Sequence, residues 1–192
     1  MSSNTRQKII KSARECFLSC GFRASNMSLI SKFAGFSRVT LHKHFKNKER
    51  VFHAVCVDYR TQCQEQCQVI SDQDLPCWEM IQQVTDVWTN TAFDDIQDSL
   101  VLKELFFEAQ QVAADIFTQA TVDLAKMLEG ILDNGIKKSE INLQACQLSS
   151  AQLSIIILAT LSGIRANQPK PQILTISHQA INLYRLATAI NK

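Results

Sequence analysis

Apolar side chains recur at three- and four-residue steps along most of the chain, the period of helices with one buried face. From Thr5 to Cys20 the stripe is Ile9, Ile10, Ala13, Phe17 and Leu18, and Gly21 follows where a left-handed residue closes a helix. Ser25 or Asn26 opens a second helix whose inner face holds Met27, Leu29 or Ile30, Phe33 and Ala34. Gly35 and Phe36 make a tight turn, and Ser37 caps a third, short helix running through Phe45. After Asn47 the elements lengthen. Glu49 to about Ile70 reads as one helix striped by Phe52, Val55, Tyr59, Cys63 and Cys67, ended by Asp72, Asp74 and Pro76. Trp78, Ile81, Val84 or Thr85, and Trp88 define the next.

Asp94, Asp95 and Asp98 suit the positive end of a further helix, with Leu102, Leu105, Phe106 and Ala109 on its face. Ile116, Phe117, Ala120, Leu124, Met127 or Leu128, and Ile131 mark another that closes near Gly135. Residues 141–164 carry no charge and read as a helix buried against protein; nine of the twenty-four are Asn, Gln, Ser or Thr, too polar for a lone membrane span. A loop with Pro169 and Pro171 precedes a last helix, Ile173 to Ile190. Five glycines and three prolines in 192 residues are too few for the turns of a β-rich fold, so the expected class is all-α.

Charge divides the chain unevenly. Residues 1–50 hold eleven Lys and Arg against Glu15 and Glu49, a net of +9; the other 142 residues sum to −7. A basic head on an acidic body points to a polyanion met by one end only. Seven cysteines, an odd number, and a polar start (MSSNTRQKII) predict free thiols in a reducing cytoplasm. There is no glycine-rich phosphate loop, and His42, His44, His53 and His178 lack a metal-type spacing with acids. The expectation is a non-enzyme without cofactor or metal.

Two helices joined by a short glycine-containing turn, the second short and basic, form a helix-turn-helix candidate. In SRVTLHKHF, Leu41 and Phe45 lie four apart and face a core, which leaves Arg38, Val39, Thr40, His42, Lys43 and His44 outward for base edges and phosphates. Ser37 at the cap leaves the helix N-terminus open to a phosphate.

Residues 6–52 resemble the DNA-binding domain of the TetR family of bacterial transcriptional regulators. The likeness runs through Ile10, Ala13, Phe17 and Gly21–Phe22, then Ser25 and Ile30, the turn Ala34–Gly35–Phe36–Ser37, Thr40–Leu41, His44–Phe45 and Lys48–Glu49. It implies phosphate contacts at Ser25, Thr40, His42, His44 and Lys48, and base readout by Arg38, Val39 and Lys43. Three positions depart from the family pattern. His42 stands where tyrosine is usual, Val39 where a small residue is, and Ser31 where alanine is. The resemblance also implies a helix-turn-helix domain over residues 1–48 and a helical effector-binding and dimerisation domain over 49–192.

One short reading helix covers few base pairs, so such proteins bind as two-fold dimers. The uncharged segment and the last helix are the expected interface, through Leu153, Ile156, Ile157, Thr160, Leu161 and Ile164; the competing reading makes them the monomer's own core. Trp78, Trp88, Phe93, Phe106, Phe117 and Met127 are candidates to line an effector pocket, suited to an apolar ligand, cationic in view of the acidic body. The whole reads as a cytoplasmic homodimeric repressor released from a double-stranded operator by a small molecule, with no membrane partner. Two alternatives stand beside it. One is an all-α binding or scaffold protein whose basic head meets an acidic partner. The other is a regulator sensing oxidants or metals through its cysteines, with Cys56, Cys63, Cys67 and Cys77 near the long helix.

Overall fold

The computed structural model describes residues 2–89 and 99–190. Asp94, Asp95 and Asp98, expected at a helix start, lie outside them. The fold is all-α: α1 (Ser2–Ala24), α2 (Met27–Ala34), α3 (Arg38–His44), α4 (Lys48–Ser71), α5 (Cys77–Thr89), α6 (Ser99–Val112), α7 (Ala114–Lys137), α8 (Ser150–Asn167) and α9 (Lys170–Ala187). These form two compact units. Of the described residues, the first holds 2–62 and 99–118, the second 63–89 and 119–190.

The first unit is built around three aromatic rings. Phe17 and Phe52 meet edge-on with centroids 5.0 Å apart, and Phe22 closes on Phe52 at the same distance. Such pairs contribute about 0.5–1.5 kcal/mol each beyond their buried area. Ile9, Ile10, Ala13, Ile30, Leu41, Phe45, Val51 and Val55 surround them, and α6 joins the same core through Leu105 and Ala109. Helix α1 breaks at Gly21, whose φ of 78° and ψ of 171° lie where only glycine sits without strain. A Cβ there would also stand 3.2 Å from the Glu104 carboxylate of α6. That carboxylate accepts a 2.6 Å hydrogen bond from the Arg23 backbone N–H, and Glu108, one turn on, faces the Arg23 guanidinium at 3.8 Å. Helix α6 therefore holds the α1–α2 junction by its exposed backbone as well as by apolar packing.

The second unit packs Trp78, Ile81 and Val84 of α5, Leu128 and Leu132 of α7, and Leu153, Ile157 and Leu161 of α8 into one core. Polar ties fix its edges. Trp78 Nε1 donates to Thr188 Oγ1 at 3.0 Å, the Thr160 and Tyr184 hydroxyls lie 2.6 Å apart, and His178 Nε2 meets Asp86 at 2.7 Å. Glu140 accepts from the Cys77 backbone N–H at 2.6 Å and so caps the start of α5.

The expected helix over 141–164 is shorter in the structure. Residues 141–149 form a loop, and Ser149 with Gln152 makes a capping box that starts α8. The other limits move by a few residues. Helix α7 runs past Gly135 to Lys137, and α9 begins at Lys170 because a proline in the first turn costs no hydrogen bond.

Candidate nucleic-acid interface

Local rules build the reading unit. Asn26, rather than Ser25, caps α2 and accepts from the Leu29 N–H at 3.0 Å. Gly35 closes α2 at φ 66°, in the left-handed region, with its N–H bonded to Lys32 O. Phe36 N–H returns to Ser31 O at 3.1 Å, and Ser37 accepts from the Thr40 N–H at the same distance. Three residues thus separate α2 from α3. Leu41 and Phe45 anchor α3 in the core, as their spacing predicts. Arg38, His42 and Lys43 are exposed, Thr40 and His44 half-buried. Val39 is 68% exposed, an apolar group on an otherwise polar surface.

Two residues that the resemblance assigns to phosphate contact are engaged within the fold. Ser25 is 1% exposed, and its hydroxyl donates to Gly21 O at 2.6 Å, so it has no side-chain surface to offer DNA. Lys48 donates to Phe22 O at 2.9 Å and stands 4.1 Å from the centre of the Phe22 ring. It fastens the start of α4 to the end of α1 and is half-buried there.

The pocket candidates divide. Trp78, Trp88 and Met127 belong with the core of the second unit, Phe106 and Phe117 with that of the first, and Phe93 lies outside the described residues. The interface candidates divide as well. Leu153, Ile157 and Leu161 turn into their own core and keep at most 4% of their surface, while Ile156 is 38% exposed and Thr160 and Ile164 are half-buried. Sequence reading missed Ile155 on α8 and Leu183 and Leu186 on α9, all more than 60% exposed. Counting helix positions from Leu153 would have placed Ile155 on the opposite face, had one face been polar enough to fix which was which.

Three of the buried thiols are chemically quiet. Burial pushes Cys56 and Cys77 up to about 12 and Cys67 to about 11, so little thiolate forms at neutral pH. No group of three or more His, Cys, Asp or Glu among the described residues is arranged to hold a metal. A disulfide reagent at pH 8 is expected to modify Cys56, Cys67 and Cys77 only as the protein unfolds, with mass spectrometry reporting each site. Rapid labelling of the three in native protein would reopen thiol sensing.

A short helix anchored by two apolar side chains, presenting cations from a basic head, defines a helix-turn-helix DNA-binding transcriptional regulator. Residues 9–55, running from α1 into α4, match the sequence model of "Bacterial regulatory proteins, tetR family", the family that the helix-turn-helix segment resembles. It is 23% identical over 137 residues to the uncharacterized HTH-type transcriptional regulator YhgD of Bacillus subtilis, covering 71% of this chain and 68% of that one. To the HTH-type transcriptional repressor AcnR of Corynebacterium glutamicum it is 30% identical over 73 residues, 38% and 37% of the two chains. The fold matches SmeT, repressor of the Stenotrophomonas maltophilia multidrug efflux pump SmeDEF, in its triclosan complex. The TM-score there is 0.68 at 16% identity, over 98% of this chain and 93% of that one.

Proposed function

We propose that the protein is a homodimeric repressor that grips an operator duplex with two copies of α3 and lets go when a small molecule binds. The observation that carries the reading is α3 itself, held by Leu41 and Phe45 so that Arg38, Val39, His42 and Lys43 form one outward surface. In this reading residues 1–48 are the DNA-binding head and 49–192 the effector-binding and dimerisation body. Ser37, Arg38, Val39, Thr40, His42, Lys43 and His44 touch the duplex.

The dimer face is the uncharged outer side of α8 with that of α9: Ile155, Ile156 and Ala159, then Leu183 and Leu186. Apolar side chains so exposed on neighbouring helices favour association with a second copy. AcnR and SmeT are repressors, and SmeT takes up triclosan, which supports an apolar effector for this chain too. Among the described residues no helix is long and apolar enough to cross a membrane. We place the protein in the cytoplasm with its operator.

Selection of bound duplexes from a random pool, followed by titration, tests the reading. The expected product is a palindrome with half-sites about 34–36 Å apart or a multiple of that, bound by a dimer. A protein that stays monomeric, or that ignores duplex DNA at low salt, refutes it.

A further inference from the structure

The head carries more positive charge than its reading helix uses. Arg6, Lys46 and Arg50 lie outside that helix, and the structure gathers them on one groove of about 510 Å³ bounded by α1, the end of α3 and α4. Ile10, Phe45 and Ala54 give it an apolar floor. The Arg6 guanidinium sits 5.1 Å from the centre of the Phe45 ring, and Phe45 is the residue that ends α3. A cation from α1 is thus fixed at the end of the reading helix, with its N–H edges left for a ligand. Lys46 follows directly in the chain, and Arg50 stands in the first turn of α4; both are exposed.

These charges are not cancelled inside the fold. Among the described residues none of the three is ion-paired. Asp58, the carboxylate lining the groove, is occupied by the side-chain amides of Gln7 and Gln62. His53 leans to Asp115 at 3.6 Å. Three cations held in one open groove against one amide-bonded carboxylate favour an anionic ligand. A reading helix with its first residues at the base edges raises its far end toward the groove rim, where the sugar–phosphate backbone runs.

We propose that Arg6, Lys46 and Arg50 form a clamp on backbone phosphates flanking the bases read by α3. The clamp rests on the DNA-binding reading above and adds a set of cations that is blind to sequence. Its function is to hold the end of α3 at the groove rim whatever bases lie beneath.

Salt titration of duplex binding by the full chain tests it. The variants are Arg6→Ala, Lys46→Ala and Arg50→Ala, with Lys126→Ala, an exposed cation of α7, as the control. Removing one cation from a phosphate flattens the plot of log affinity against log salt by about 0.9, hence by about 1.8 per substitution in a dimer. Between 50 and 200 mM salt the wild type then loses roughly twelvefold more affinity than any single variant. The change should be the same on random duplex and on the selected palindrome, and absent from the control. Arg6→Lys, which keeps the charge and gives up the planar stack, should retain the slope; unfolding midpoints for all variants separate charge effects from misfolding. Unaltered slopes in folded variants overturn the clamp, as does a loss confined to the palindrome. So does saturable binding of inorganic phosphate in the groove, followed by NMR, if the slopes do not move. Failure of the wild type to bind any duplex refutes the DNA reading itself, a different result.

Discussion

The double variant Arg38→Ala, Lys43→Ala is expected to keep its fold and lose its operator. Both side chains are exposed on α3, and neither is among the residues that hold that helix in place, so removal should alter stability by no more than about 0.5 kcal/mol. A well-formed hydrogen-bonded pairing with a base edge is worth about 1–3 kcal/mol of discrimination. Without two such pairings, the ratio of operator to random-sequence binding falls by about one to four orders of magnitude per half-site. Binding to random duplex should fall much less, since other head cations still meet phosphates. Anisotropy titrations on both duplexes, with an unfolding curve on the same samples, give all three quantities. A preserved ratio would show that some element other than α3 reads the bases. Leu41→Ala is the counterpart: it leaves every outward group in place, removes a fully buried anchor, and lowers stability and binding together.

Gly135→Ala should destabilise the second unit, although alanine is the better helix former by about 0.8–1 kcal/mol. A Cβ at Gly135 falls 2.7 Å from Cys77 Sγ and 2.8 Å from Cys77 Cβ. The second distance decides the sign. A thiol can rotate away, whereas a Cβ moves only with its backbone, and Glu140 holds the Cys77 N–H at 2.6 Å. Helix α5 must shift against α7, at the cost of about 1–3 kcal/mol usual for an overfilled core. Helix propensity offsets part of this. Larger side chains at 135 should be worse in order of volume. A double-mutant cycle with Cys77→Gly isolates the clash: the two changes together should cost less than their sum by at least about 0.5 kcal/mol. Additive effects would place the strain elsewhere. Protein concentration must be held constant, because the association of copies proposed above would contribute to any midpoint.

The reading unit was legible because each of its signals is local. Asn26, Gly35 and Ser37 act on backbone groups a few residues away, and Leu41 with Phe45 needs only helical spacing. Side-chain direction at Ser25 was not legible, since it depends on the Gly21 carbonyl that the break in α1 leaves free. The contacts of Lys48 were not legible for a related reason. Its partners lie on Phe22, twenty-six residues back, and nothing in the sequence announces them. In α8 periodicity failed where it usually serves best. Ile155 and Ile156 face out while Leu153, Ile157 and Leu161 face in, so both sides of the helix are apolar and the pattern cannot tell inside from outside. The loop before α8 did carry a signal, the serine and glutamine of a capping box, concealed within a run without charges.

The contact of Glu104 with the Gly21–Arg23 turn bears on how such a protein is taken apart. The segment that meets DNA is continuous in sequence, yet the body that folds around its aromatic rings is not; it borrows Leu105, Ala109 and Ala113 from some fifty residues downstream. A chimera made by grafting the first fifty residues onto a foreign scaffold would bare that apolar side and orphan the Arg23 amide. The transplantable module is a split one, and its second piece has to travel with the first.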